Sequence, residues 1–177
     1  MKPVDIPKAL SLLDQELAKK KVQAELTICG GAALILMGVV SRGTSDVDVV
    51  AKKIPDAVLA AAKVVAKKLK CREDWLNNRV NPIIERLPVN WEDHLVTLFT
   101  GKAVTVKSIS RQDLICAKLH AAVDRKGLDF SDVIDLKPTA AEIEVARQYC
   151  LKQAQTETYE VWVNGYVNLL KKDLGVA

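Results

Sequence analysis

Hydrophobic and polar positions recur along this chain in two periods, and each change of period marks a new element. Ile6, Leu10, Leu13 and Leu17 fall at helical spacing, so residues 5–20 are expected to form an amphipathic helix. Lysines gather at its C-terminal end, where the helix dipole favours them. "AELTICG" is a short apolar run closed by glycine and reads as a strand, and "GAALILMGVV" reads as a helix that starts directly on the glycines. "SRGTS" turns the chain, and "DVDVVA" alternates strictly, as a strand does. Residues 56–70 predict a further helix, with Val58, Ala62, Val65 and Leu69 on the inner stripe and Lys63, Lys67 and Lys70 on a solvated outer one.

Beyond residue 71 the pattern weakens. "WLNNRVNPIIERLPVNWEDHLVTLF" mixes proline, asparagine and tryptophan, so residues 72–102 are expected to be a long loop with short elements. "AVTVKSI" is a strand. Ser110 with Asp113 forms a capping-box pattern before the helix "RQDLICAKLHAAVDR". Thr139 with Glu142 repeats that device after Pro138 and opens a helix to about 154, and a last helix carries Tyr159, Trp162, Tyr166 and Leu170. The order α-β-α-β-α-loop-β-α-α-α predicts an α/β (α+β) fold, a small mixed sheet with helices packed on it and a helical tail. A core over residues 1–137 and a C-terminal helical extension over 138–177 are the expected division.

Composition narrows this picture only a little. At 177 residues the chain can bury a proper core, and a net charge of +4 is compatible with an anionic partner without requiring one. Cys29, Cys71, Cys116 and Cys150 lie far apart among apolar residues, with no CxxC pair, which favours buried free thiols over zinc or redox chemistry. No apolar run reaches membrane-spanning length and the N-terminus lacks a signal-like apolar stretch, so a cytoplasmic protein with no membrane partner is expected.

The candidate chemistry lies in "CGGAALILMGVVSRGTSDVDVV", residues 29–50. Strand alternation sends Val47 and Val49 to the core and places Asp46 and Asp48 together on the other side. Two neighbouring carboxylates repel unless a cation lies between them, and Mg²⁺ is the hard ion that takes one or two carboxylates plus substrate phosphates. Gly30 and Gly31 stand between a strand and a helix start, where backbone N–H groups lack partners and a phosphate can approach closely. A phosphate-holding corner followed by paired acids suits phosphoryl or nucleotidyl transfer. Taken singly, each feature also has a bland reading, as a tight turn or a solvated strand face.

This stretch resembles the signature of the nucleotidyltransferase (DNA polymerase β-like) superfamily: an apolar strand, a glycine pair, a helix, then D-x-D. "SRQDLICAKLHAAVDRKGLDFSDVIDL" is similar to the second half of AbiEii-type toxins and related minimal nucleotidyltransferases, in which a K-x-x-A helix precedes an arginine and a D-x-x-D pair. "WLNN…LPVNWEDH", with "LKPTAAEIEVA", is most similar to the nucleotidyltransferase-like family DUF6036, and the resemblance spans roughly residues 25–150. It implies that Gly30 and Gly31, with the turn residues Thr44 and Ser45, hold the phosphates of an NTP, and that Asp46 and Asp48 bind Mg²⁺ or Mn²⁺. It implies further that Lys118 contacts phosphate or stabilises charge, that Arg125 supports it, and that Asp129, with Asp132 beside it, is a further acid. Read without the resemblance, Lys118 either snorkels out of an apolar helix or faces a polar cavity, and the aspartates every three residues from 129 fit the polar side of a short helix. His94 and His120 match no motif.

Two departures from the superfamily pattern matter. A third carboxylate is expected on a later strand, yet "AVTVKSI" carries Lys107 and no acid, and Gly31 stands where many active members have serine. The expected function is therefore transfer of an NMP from an NTP to a hydroxyl of RNA (such as tRNA) or of a protein, in a toxin–antitoxin or phage-defence setting. The alternative is a weakened nucleotidyltransferase fold that binds nucleotide or a partner, antitoxin-like, with Tyr159, Trp162 and Tyr166 as a docking surface or as core.

Overall fold

A computed structural model describes residues 3–80, 84, 86–125, 127–154 and 156–176. Among them are seven helices and five strands, an α+β arrangement. Two units separate by their internal contacts: Met1–Glu85 with Glu92–Ile109, and Arg86–Trp91 with Ser110–Ala177. The boundary expected at 137/138 lies inside the second of these.

In the first unit, helix α1 (Ile6–Lys19) starts at Asp5, whose side chain accepts from the Lys8 N–H at 3.1 Å, with Pro7 in the first turn where its missing N–H costs nothing. Strand β1 (Ala24–Cys29) leads without a break into helix α2 (Gly30–Leu36). That helix is shorter than its apolar run suggested, because Gly38 takes a φ of +71° and turns the chain out. Strand β2 (Val47–Val49), helix α3 (Asp56–Leu69) and strand β3 (Leu76–Asn77) follow. After a 3-10 turn at Trp91–His94 come β4 (Val96–Thr100) and β5 (Val104–Ser108).

The sheet runs β3-β2-β1-β5-β4, with β1 parallel to β5, β2 parallel to β3, and the other two pairings antiparallel. Strands β3 and β4 lie in the stretch expected to be a long loop with short elements. The pattern hid β4 because its side chains are all exposed or half-exposed, so no apolar alternation marks it. Its pairing shifts register between Thr97 and Phe99, a device that blunts a sheet edge. Strand β3 has only two residues and is specified by its partner β2 rather than by any period of its own.

Register separates the two faces of the sheet. Leu26, Ile28, Val47, Val49, Leu76, Val104 and Val106 share the buried face, over which α1 and α3 pack together. Trp75, fully buried, closes this core, and its indole N–H donates to the Ala62 carbonyl at 3.0 Å. The opposite face carries Glu25, Thr27, Cys29, Asp48, Asn77 and Lys107, a polar surface with Asp48 directly across from Cys29 and Asn77.

Glu16 ties α1 to α3. It accepts from Lys19 and from Lys68, both at 2.7 Å, and these bonds hold its pKa down at about 2. A carboxylate depressed in the folded state contributes stability that is complete above its unfolded value and is lost as pH falls through the folded one. The melting-temperature difference between wild type and Glu16→Gln should therefore be constant above about pH 5 and shrink between about pH 4.5 and 2. A difference independent of pH across that window would show that Glu16 is not held by its lysines.

The second unit is helical. Helix α4 (Arg111–Arg125) opens on the Ser110–Asp113 pair, the Asp113 N–H donating to Ser110 Oγ at 3.1 Å and the hydroxyl returning a bond to the carboxylate at 2.7 Å. Helices α5 (Leu128–Asp135) and α6 (Ala140–Lys152) both pack on α4, and α6 opens on a complete Thr139–Glu142 capping box. Helix α7 (Glu157–Leu174) turns Val163, Val167 and Leu170 inward. Tyr166 stands edge-on to Phe130, and Tyr159 reaches His120, whereas Trp162 faces outward. No helix among the described residues is long and apolar enough to cross a membrane.

Candidate functional site

The strand-to-helix corner forms because Cys29 ends β1 in extended conformation and Gly30 then takes a φ of +71°, which a side chain would make costly. No side chain caps the first turn of α2. What faces the corner is shown by where a methyl group would collide: one on Gly30 would come within 3.2 Å of Asp48 Oδ2. One on Gly31 would meet Thr44 Oγ1 at 3.3 Å and Arg42 Nη1 at 3.8 Å. The glycines therefore make room for an acid, a hydroxyl and a guanidinium converging on one turn.

Thr44 is fixed from two sides. Its carbonyl accepts from the Val4 N–H at 2.7 Å, and its hydroxyl lies 3.4 Å from the Asp46 carbonyl and 3.5 Å from Asp46 Oδ1. Ser45 follows, half-buried. Asp46 and Asp48 are half-buried too, while Val47 and Val49 go to the core as their alternation predicts. Asp46 itself precedes β2 by one residue instead of belonging to the strand, because the ladder to β1 and β3 is only three residues long. Among the described residues no group of three or more His, Cys, Asp or Glu is arranged to hold a metal ion. A cation at this corner would thus rely on two carboxylates and on ligands from substrate or water, which is within the usual practice of Mg²⁺.

Two arginines in this neighbourhood were not read from the sequence. Arg42 stands over Gly31, and the only hint was its place in the turn before D-x-D. Arg72 grips Asp74 through Nε at 2.7 Å and Nη2 at 2.6 Å, with Arg79 on the same carboxylate. Those bonds raise the pKa of Arg72, and the charge of Asp46 adds to the rise, so Asp46 lies within the field of this guanidinium. On β5, Lys107 is level with Thr27 on the polar face and pairs with Glu25 at 2.8 Å. No acid takes that place.

The remaining expected site residues form their own cluster in the second unit. Lys118 Nζ lies 2.8 Å from Asp129 Oδ1 and 2.7 Å from Asp132 Oδ2, and Arg125 Nη2 lies 3.0 Å from Asp129 Oδ2. Burial pulls the Lys118 pKa down, but its bonds to Asp129 and Asp132 outweigh that and leave it raised. Lys118 thus neither snorkels nor faces an empty cavity: two cations meet two acids. Of the histidines, His94 is exposed, while His120 is buried, with Nδ1 on the Tyr159 hydroxyl and Nε2 3.6 Å from Asp124. Burial lowers the His120 pKa.

A small mixed sheet, a glycine corner, and Asp48 on the next strand with Asp46 just before it fit a nucleotidyltransferase-type protein. The family model described as nucleotidyltransferase of unknown function (DUF6036) matches residues 8–161, and the chain belongs to that family. Neither a curated protein nor a solved structure matches it.

Proposed function

We propose that this chain transfers a nucleoside monophosphate from an NTP to a hydroxyl group. In this reading the triphosphate lies against the Gly30–Gly31 turn, with Arg42, Thr44 and Ser45 around it, and Asp46 and Asp48 hold Mg²⁺ or Mn²⁺. The metal would neutralise charge on the phosphates and orient them. The acceptor oxygen forms a bond to the α-phosphorus as the bond to the β-phosphate oxygen breaks, releasing pyrophosphate, and the hydroxyl proton passes to solvent. Positioning and charge neutralisation do most of the work in such a step. RNA (such as tRNA) or a protein is the proposed acceptor, and a toxin–antitoxin partner the proposed setting; both rest on the family resemblance. The observation that supports the reading is the approach of Asp48 to Gly30, which puts an acid beside the glycine turn. The Lys118–Asp129 cluster is already matched in charge, so the reading assigns it support of the second unit rather than the phosphate contact its motif implies.

The test is incubation with each α-labelled NTP, Mg²⁺ or Mn²⁺, and tRNA or protein acceptors. Label should be transferred, and Asp46→Asn should lower transfer by more than about 100-fold, beyond the cost of losing an outer-shell partner. One observation favours a second reading: Lys107 stands on β5 where a third acid is expected, paired with Glu25. If NTP and Mg²⁺ raise the melting temperature of wild type but not of Asp46→Asn, and no label moves, the chain binds nucleotide without turning it over. Absence of both effects would end the two readings together.

A further inference from the structure

Helix α7 exposes a second apolar stripe on the side away from its packed one. Val161 is 68% exposed, Trp162 54% and Leu169 46%, and these are large apolar side chains on one helix face. At about 100° per residue, they lie within roughly 60° of Gly165, and so does Lys172. A methyl group on Gly165 would meet nothing within 4 Å, so no neighbour in this chain accounts for a glycine in mid-helix. Such a glycine weakens a helix relative to alanine.

We propose that α7 packs against α7 of a second copy of this chain, antiparallel, about a two-fold axis at the middle of the helix. Symmetry argues for this occupant. The helix spans Glu157–Leu174, so its midpoint falls between Gly165 and Tyr166. An axis there sets each residue opposite the one equally far beyond the midpoint. Trp162 then meets Leu169 of the second copy, and Leu169 meets its Trp162, so the two largest exposed side chains cover each other twice. Gly165 comes level with Gly165, which lets the backbones approach where side chains would hold them apart.

The charges select the same geometry. The first turn of α7 is acidic, with Glu157 and Glu160, and the last is basic, with Lys171 and Lys172. Antiparallel pairing lays each acidic turn over the basic turn of the other copy and opposes the helix dipoles. Glu157 and Lys172 lie on the same flank, about 3 Å apart along the axis after the two-fold, which is salt-bridge reach. Lys172, within about 20° of Gly165 around the helix, is the cation assigned to the contact. A parallel pair would juxtapose like charges at both ends. Isologous two-fold dimers are the commonest symmetric assembly. One helix pair of about 27 Å buries an area at the low end for specific interfaces, so a dimer that forms at tens of micromolar is expected.

The experiment uses the full chain. Wild type should pass from monomer to dimer over roughly 1–200 μM in sedimentation velocity, and Leu169→Glu should remain monomeric with an unchanged circular-dichroism melt. Glu157→Lys and Lys172→Glu should each weaken the dimer, and the two together in one chain should restore it. Gly165→Cys should form a disulfide-linked dimer with diamide as oxidant, since the two-fold brings that position within bonding reach of itself. Wild type, whose cysteines are buried apart from half-buried Cys71, is the control. A wild type monomeric throughout that range, a Gly165→Cys that cross-links no faster than wild type, or a Leu169→Glu that still dimerises would each overturn the proposal.

Discussion

Replacing Lys118 by alanine should destabilise the protein by about 3–5 kcal/mol, because it leaves two carboxylates without their shared cation. Asp132 is fully buried and the side chain of Asp129 only 16% exposed, so neither gains hydration when the ammonium is removed. The loss should be read as a fall in the urea midpoint at unchanged slope. Replacing Lys118 by methionine together with Asp132 by leucine should recover most of the stability, because an apolar pair of similar volume carries no desolvation cost. A loss below about 1 kcal/mol at pH 7 would mean that the cluster behaves as a solvated surface pair.

Trp75→Ala should cost about 3–5 kcal/mol, the usual price of emptying a large aromatic site in a core. Trp75 is fully buried, and its indole N–H reaches the Ala62 carbonyl of α3. The indole bond to the Ala62 carbonyl is a smaller part, because that carbonyl lies inside a helix. Trp75→Phe keeps most of the volume and should lose markedly less. Urea unfolding of the two variants checks this, and equal losses would assign the effect to the hydrogen bond instead of the cavity.

The sequence was most legible where structure is local. Helix α3 begins at Asp56 as its period predicts and ends at Leu69, with Lys70 in the left-handed region as its cap. The two boxes at Ser110 and Thr139 open α4 and α6 where their side chains reach back to the backbone. Strand β5 was readable because it lies inside the sheet, with Val104, Val106 and Ser108 buried in strict alternation. Strand β4, on the edge, was not.

The site divides in the same way. Glycine at position 30 and valines around Asp48 are local requirements of a left-handed residue and a buried strand, so both could be anticipated. Arg42 and Arg72 could not, because an arginine in a loop has no period to show where its side chain goes, and only the folded chain sets Arg42 over Gly31 and Arg72 in the field of Asp46. Lys118 shows the limit most clearly. Its helix period revealed a lysine among apolar residues, but two outcomes were open until Asp129 and Asp132 were placed beside it.

By itself, then, the order of residues determined most of the helices, the Ser110 and Thr139 caps, the glycine corner and the inward valines, since each follows from contacts within a few residues. Tertiary structure decided which strands form the sheet's edges, that Asp48 approaches Gly30, which acids hold Lys118, and which stripe of α7 is left exposed. Those outcomes depend on groups far apart in the chain. Their energies arise only when the packed backbone brings them within a few ångströms.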